Sequence, residues 1–256
     1  MANPTAIVRA PGQSFIQAIS KHPEAKAIDF DLAKTQHKAY VLALQSADTN
    51  ITFLETIESF PDGVFVEDTT VILKNRALIC RMKETTRQGE IDSAIPVLKK
   101  FLPLDYLDPP ATLDGGDVLD TGETIFVGLS ERTNQEGIDA LSAICSKPVV
   151  PIEVLQGLHL KSAVSFLGGK LLIIDPLSVD PQHFPGFETI MVQEDERYAA
   201  NCLTIWHKVF MPAGFPRLAR EICNRGLQPV ELEMSEFEKA DGGVTCLSLI
   251  IPAIPA

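Results

Sequence analysis

The chain lacks the features that would place it in several common classes. Its five cysteines are odd in number and include no Cys-x-x-Cys pair, which argues against a disulfide framework or a zinc ribbon and fits a reducing compartment. No apolar run approaches the roughly 18 residues that span a bilayer. The first residues show no basic stretch leading into an apolar core, so no leader peptide is expected. Positive charge is scarce: 22 Lys and Arg stand against 34 Asp and Glu, a net charge of −12. That balance disfavours nucleic acid and anionic membranes as partners and is compatible with a small cationic ligand. Runs of like charge are absent as well. A soluble, cytoplasmic protein is expected, with enough apolar sequence in 256 residues for one large domain or two small ones.

What the chain does have is a period. Five short blocks recur: Pro-Asp-Gly-Val-Phe-Val-Glu-Asp (61–68), Ala-Thr-Leu-Asp-Gly-Gly-Asp-Val (111–118), Gly-Leu-His-Leu-Lys (157–161), Tyr-Ala-Ala-Asn-Cys (198–202) and Ala-Asp-Gly-Gly-Val-Thr-Cys (240–246). With Glu67, Asp114, His159, Asn201 and Cys246 as markers, the steps are 47, 45, 42 and 45 residues. A repeat of that length is a signature of propeller-like architecture, in which a closed ring would bring the markers to one axis.

The segments between markers read as strand, strand, helix, strand. Thr69–Leu73 and Ala77–Cys80 pattern as strands, and Glu90–Phe101 has near-helical apolar spacing. The next unit has strands at Asp117–Leu119 and Ile125–Leu129, a helix over Thr133–Ser146 capped by Ser130 or Thr133, and a strand at Val149–Val154. The third has strands flanking Gly168-Gly169, then a proline-containing segment, Ser178–Phe187, in the helix slot. The fourth has strands at Cys202–Ile205 and Val209–Met211, a helix over Pro216–Asn224 stopped by Gly226, and a strand at Pro229–Leu232. The last opens with Ser235 capping a short helix and runs into a strand over Val244–Ile251. It is complete only if the N-terminal segment supplies Ile7–Arg9, a helix over Phe30–Ser46 and Ile51–Leu54. Pairing the two chain ends would remove exposed sheet edges. One catalytic domain over residues 1–251 is expected, with 252–256 as a flexible tail.

Each marker has a plain reading and a chemical one. Cys246, entering an apolar run, fits a small core residue or a nucleophile, and the two glycines upstream would let backbone approach a ligand closely. His159 in an alternating stretch fits a structural histidine or the proton partner a thiol requires. Asp114 fits a turn, or a carboxylate that orients the imidazole. Asp62, Glu67 and Asp68 fit a solvated loop, yet Glu67 is embedded in Val-Phe-Val, where an unpartnered carboxylate is costly. A cation is the simplest partner, and a planar guanidinium can take two carboxylates through its forked donors. Arg87 and Arg132 fit surface residues or the ligands of a zwitterion's carboxylate.

In register, Phe-Pro-Asp-Gly-Val-Phe-Val-Glu-Asp, Ala-Thr-Leu-Asp-Gly-Gly-Asp-Val, Phe-Val-Gly-Leu-Ser-Glu-Arg-Thr-Asn-Gln-Glu-Gly, Leu-His-Leu-Lys and Asp-Gly-Gly-Val-Thr-Cys resemble the dimethylarginine dimethylaminohydrolases, from about residue 5 to 251. The resemblance implies an α/β fold, the five-bladed pentein propeller of ββαβ modules with pseudo-fivefold symmetry. It implies Cys246 as nucleophile, His159 as general acid/base and Asp114 as its partner. Asp62, Glu67 and Asp68 would form the substrate-binding acidic motif, and Arg87 and Arg132 would hold the amino-acid end. Ile19 falls in a lid loop around Pro11–Pro23 where the family usually has leucine. Ala240 stands where valine or isoleucine is common, and these two changes bear on the choice of N-substituent.

The implied reaction is hydrolysis of Nω-methylated arginine to citrulline and an amine through a covalent cysteine adduct, with no metal or organic cofactor. The implied partner is a small cationic guanidino amino acid, and a homodimer is compatible with the sequence. Two alternatives stay open: a hydrolase of arginine or another ω-substituted arginine, and a non-catalytic guanidino-ligand-binding protein. A papain-like protease is poorly supported, because its local cysteine signature is missing.

Overall fold

A computed structural model describes residues 2–253; Met1 and residues 254–256 lie outside the described residues, and with them most of the tail expected at 252–256. The chain opens with β1 (Thr5–Arg9), α1 (Phe30–Gln45) and β2 (Asn50–Leu54). A first module follows as β3 (Thr70–Ile72), β4 (Ala77–Ile79), α2 (Ile95–Leu98) and β5 (Leu104–Tyr106). The second is β6 (Val118–Asp120), β7 (Ile125–Leu129), α3 (Gln135–Ile144) and β8 (Val149–Glu153). The third is α4 (Leu160–Ala163), β9 (Val164–Gly168), β10 (Leu171–Ile174) and β11 (Glu188–Met191). The fourth is β12 (Leu203–Ile205), β13 (Lys208–Pro212), α5 (Pro216–Asn224) and β14 (Gln228–Leu232); α6 (Ser235–Glu238) and β15 (Ser248–Ile251) close the list.

These strands form five three-stranded sheets, four of them local and the fifth ordered β15-β1-β2. In every sheet the middle strand is antiparallel to the first and parallel to the third. The antiparallel step needs only a tight turn, whereas the parallel step needs a crossover. The Gly168-Gly169 turn supplies the former at β9–β10, with both glycines at positive φ. In the fifth sheet Ile7 faces Leu249 on one side and Thr52 on the other, so the two chain ends share one ladder.

Four helix expectations change. Glu90–Phe101 yields only α2, because Pro96 has no N–H to return to Asp92 and the preceding residues form turns. Ser178–Phe187 yields no α-helix, only a 3-10 turn at Pro181–His183, with Pro185 just beyond. The cap of α3 is neither Ser130 nor Thr133 but Asn134, whose side chain accepts from Gly137 N. Ser130 and Thr133 instead donate their hydroxyls to Asp117 at 2.6 and 2.7 Å. Ser235 is the first residue of α6 rather than its cap.

Packing ties the ends of the chain to the middle. Tyr40 and Leu44 of α1 are fully buried in one apolar cluster with Phe210, Leu232, Phe237 and Cys246. Within it Phe15, Phe65 and Phe237 form a triangle with ring centroids 5.4 to 6.4 Å apart. Burial of each such ring stabilises the fold by about 1.5–3 kcal/mol. The first strands of all five sheets, β3, β6, β9, β12 and β15, line a single cavity of about 260 Å³. Among the described residues no helix is long and apolar enough to cross a membrane.

Candidate active site

Each of the five marker residues stands in or beside a turn just ahead of the first strand of its sheet. Glu67 and Asp68 lie in the 3-10 turn Val66–Thr69, which runs into β3. Asp114 flanks the 3-10 turn Gly115–Asp117 before β6, and His159 flanks α4 before β9. Asn201 ends the 3-10 turn Glu194–Ala200 before β12, and Cys246 is the middle of the 3-10 turn Thr245–Leu247 before β15. The strand placements expected for Glu67, His159 and Cys246 are therefore corrected by a few residues. A turn frees side chains from the strict alternation of a pleated strand. The backbone is then free to aim them at one place.

Close backbone approach makes the turns fit. A Cβ on Gly116 would lie 2.7 Å from both His159 Nδ1 and Asp68 Oδ1, and one on Gly243 would lie 2.5 Å from Asn201 Cγ. The double glycines thus admit the protein's own side chains, and Gly242 and Gly243 also line a cavity of about 600 Å³.

His159 is buried between two carboxylates. Its Nε2 is 3.0 Å from Asp114 Oδ2, and its Nδ1 is 3.7 Å from Asp68 Oδ1. Burial disfavours its charge, but Asp68 and then the bond to Asp114 outweigh this and raise its pKa to about 9. Burial likewise opposes ionisation of Asp68, yet His159 and Arg87 outweigh it and hold that carboxyl below its usual range. Asp68, Asp114 and His159 offer ligand atoms within 4.8 Å of one another, a spacing a metal ion could use. Here the protonated imidazole is itself the cation between the carboxylates. Asp68 Oδ1 and Asp114 Oδ1 are buried with no hydrogen-bond partner, so acceptor capacity remains for a further cation.

Cys246 Sγ accepts from Gly243 N at 3.3 Å. Burial first, then the charges of Glu67 and Asp68, push its thiol up to about 12. Left alone, this thiol stays protonated at neutral pH. A positive charge arriving beside Glu67 and Asp68 would reverse the electrostatic part of that shift.

Glu67 already has partners in the protein. Its Oε1 takes Lys161 Nζ at 2.6 Å, and its Oε2 takes the Thr245 hydroxyl at 2.6 Å. Lys161 belongs to the Leu-His-Leu-Lys block, and its pairing with Glu67 was passed over by sequence reasoning. Asp117 was also missed: its carboxylate accepts from Leu160 N, Ser130 and Thr133 and so joins the second turn to the third.

Arg87 is buried and spends four bonds on Glu90, Asp68 and the Phe65 carbonyl. Its surroundings make it a partner of Asp68 and Glu90 before it is a ligand group. Glu90 was legible only as an i,i+3 neighbour of an arginine. Arg132 lines a cavity of about 600 Å³ and has its Nη1 buried without a partner. Ile19 lines the same cavity, and its backbone N donates to both Asp62 oxygens at 3.2 Å. The residues after Ile19 form a strap: Ser20 Oγ and Lys21 N donate to Asp241 Oδ2, and Lys21 Nζ meets Glu131 at 2.9 Å. Asp62, beneath the strap, has its pKa raised by burial. Ala240 does not reach this cavity; it is 3% exposed and packed in the cluster of Phe15, Phe65 and Phe237. Its side chain packs in the same cluster as Cys246.

The arrangement offers a thiol, a proton donor held charged, two carboxylates with spare acceptors, and a cavity with an unpaired guanidinium donor. Such a set can attack the carbon of a bound cation and protonate what leaves.

A family model described as N,N dimethylarginine dimethylhydrolase, eukaryotic, matches residues 4–180. The N(G),N(G)-dimethylarginine dimethylaminohydrolase of Pseudomonas aeruginosa is 36% identical, over 95% of this chain and 97% of its own. The protein of the same name from Streptomyces coelicolor is 36% identical, over 97% of each chain. A solved structure of the Pseudomonas aeruginosa enzyme, a cysteine-to-serine mutant complexed with citrulline, has a TM-score of 0.93 at 34% identity and covers 98% of this chain and 100% of that one.

Proposed function

The chain belongs to the dimethylarginine dimethylaminohydrolase family, and on that premise we propose that it hydrolyses Nω-methylated arginines to citrulline and methylamine or dimethylamine. The observation that carries the reading is the buried cluster of Asp68, Asp114 and His159, together with the Cys246 thiol whose ionisation Glu67 and Asp68 suppress. Two spare carboxylate oxygens, on Asp68 and Asp114, suit the N–H donors of a guanidinium.

In the first half-reaction the guanidinium enters beside Asp68 and Glu67, and its positive charge lets the Cys246 thiol release its proton to bulk water. The thiolate attacks the central guanidino carbon, forming a C–S bond and a tetrahedral adduct. His159, charged at rest, gives its proton to the methylated nitrogen as the C–N bond breaks. A thiouronium remains on Cys246. In the second half, neutral His159 takes a proton from water as its oxygen attacks the same carbon. The C–S bond breaks, the adduct's hydroxyl proton passes to the sulfur, and citrulline leaves with the thiol restored and His159 again charged. Asp114 keeps the imidazole oriented throughout. Arg132 supplies a donor for the substrate's α-carboxylate, while Asp62 holds the Ile19 strap over the cavity. Arg87 fixes Asp68 for its contact with the cation.

We also read the five sheets as the blades of one closed propeller domain over residues 1–251, a reading supported by their shared cavity and the fifth sheet made from both ends. The test of function is product detection with dimethylarginine, monomethylarginine and arginine as substrates. Cys246→Ser should form no citrulline from any of them while still binding the methylated substrate. Full turnover by that variant would overturn the assignment.

A further inference from the structure

Of the five periodic markers, Asn201 is the one to which the reaction gives no part, yet it is buried and fully engaged. Its Nδ2 donates to the Lys161 carbonyl at 2.9 Å and to Thr245 Oγ1 at 3.0 Å, and its Oδ1 accepts from Thr245 N at 3.0 Å. The orientation of the amide is unambiguous. A backbone carbonyl can only accept and a backbone N–H can only donate, so nitrogen faces Lys161 and oxygen faces Thr245. Both partners are distant in sequence, 40 and 44 residues away, and both stand beside reacting groups. Thr245 precedes Cys246, and Lys161 is two residues past His159.

The network continues from there. Having accepted from Asn201, the Thr245 hydroxyl donates to Glu67 Oε2 at 2.6 Å, and Lys161 Nζ meets Glu67 Oε1 at 2.6 Å. Asn201, Thr245, Glu67 and Lys161 therefore close a ring of bonds that joins turns before four different sheets. Gly243 presses on the same amide, since any Cβ there would meet Asn201 Oδ1 at 2.5 Å. The ring also stands at a boundary. Asn201 and Gly243 line the large cavity, whereas Glu67, Lys161 and Thr245 line the cavity between the sheets.

We propose that Asn201 is a positioning residue for the reaction: its amide fixes the turn of Cys246 against the segment of His159 and, through Thr245, fixes the carboxylate of Glu67. The inference rests on the reading of Cys246 and His159 as the reacting pair. A bond-forming geometry tolerates little slack, and a 1 Å misplacement can cost about 100-fold in rate. Asn201 is not expected to touch substrate.

The test measures kcat and KM for dimethylarginine, with kcat expressed per mole of natively folded protein, taken from the amplitude of its cooperative urea unfolding transition, so that loss of folded protein is divided out. Asn201→Leu keeps the volume and removes all three bonds; it should lower kcat roughly 10–100-fold with KM changed much less. Thr245→Val, which strips the hydroxyl from Glu67, should raise KM as well as lower kcat. Thr245→Ser, which keeps the hydroxyl, should restore most of both. Unchanged kcat per mole of folded protein in Asn201→Leu, with only thermal stability reduced, would overturn the proposal. Should that variant not fold, equal kinetics for Thr245→Val and Thr245→Ser would overturn it instead. Failure of the catalytic reading itself would show separately, as citrulline formation by Cys246→Ser.

Discussion

Cys246 and His159 are held in opposite conditions by the same carboxylates. Glu67 and Asp68 disfavour a negative sulfur, while Asp68 and Asp114 favour a positive imidazole. The resting pair is thus thiol and imidazolium, and the substrate's charge is what releases the thiolate. Glu67→Gln should consequently lower the thiol pKa from about 12 by roughly one unit, worth about 1.4 kcal/mol, and speed alkylation of Cys246 in the free protein. Slower or unchanged alkylation, followed by mass spectrometry across pH, would contradict this. Asp114→Asn removes one support of the imidazolium, so the His159 pKa should fall from about 9 towards 6.5 and the alkaline limb of the pH–kcat profile should move to lower pH. The thiol, the imidazole and the acidic motif were readable because their residue types stand inside short blocks. Lys161, Asn201 and Asp117 stand in the same blocks, but their parts were not readable, because they are set by bonds spanning 94, 44 and 43 residues, which no local pattern records.

Among the elements, the short turns before the first strands matter more than the strands they precede. Sequence reading placed Cys246 and His159 in strands because apolar alternation begins around them, but the 3-10 turn at Thr245–Leu247 and the single turn of α4 come first. The cap of α3 shows why such boundaries are hard to read. Ser130, Thr133 and Asn134 are all good capping residues. The choice is made by Asp117, a buried carboxylate that takes both hydroxyls and leaves the cap to Asn134. Asn134→Ala should therefore destabilise the protein by about 1 kcal/mol, read as a lower urea midpoint, with kcat nearly unchanged. Loss of kcat without loss of stability would show that Asn134 acts on the site.

For the whole molecule, the period of the sequence and the pairing of its two ends were legible, because each module carries its own strand and turn signals. The third crossover was not, since Pro181 and Pro185 forbid the helix that the repeat would suggest. The site couples to the fold through protons. His159 and Cys246 both have raised pKa values and so bind protons more tightly when folded. The share of stability from His159 is fully present below pH 6.5 and is lost as pH rises through about 9; that from Cys246 is lost between 9 and about 12. Urea midpoints that fall across this range in wild type, and fall less in Asp114→Asn, are expected. The central claim is a covalent step on Cys246. Rapid quenching of turnover with dimethylarginine, followed by peptide mass analysis, measures it most directly. An adduct confined to the Cys246 peptide, formed and consumed as citrulline and dimethylamine appear in equal amounts, is the predicted result. Equal products with no adduct at Cys246, also in a variant slowed at His159, would contradict it.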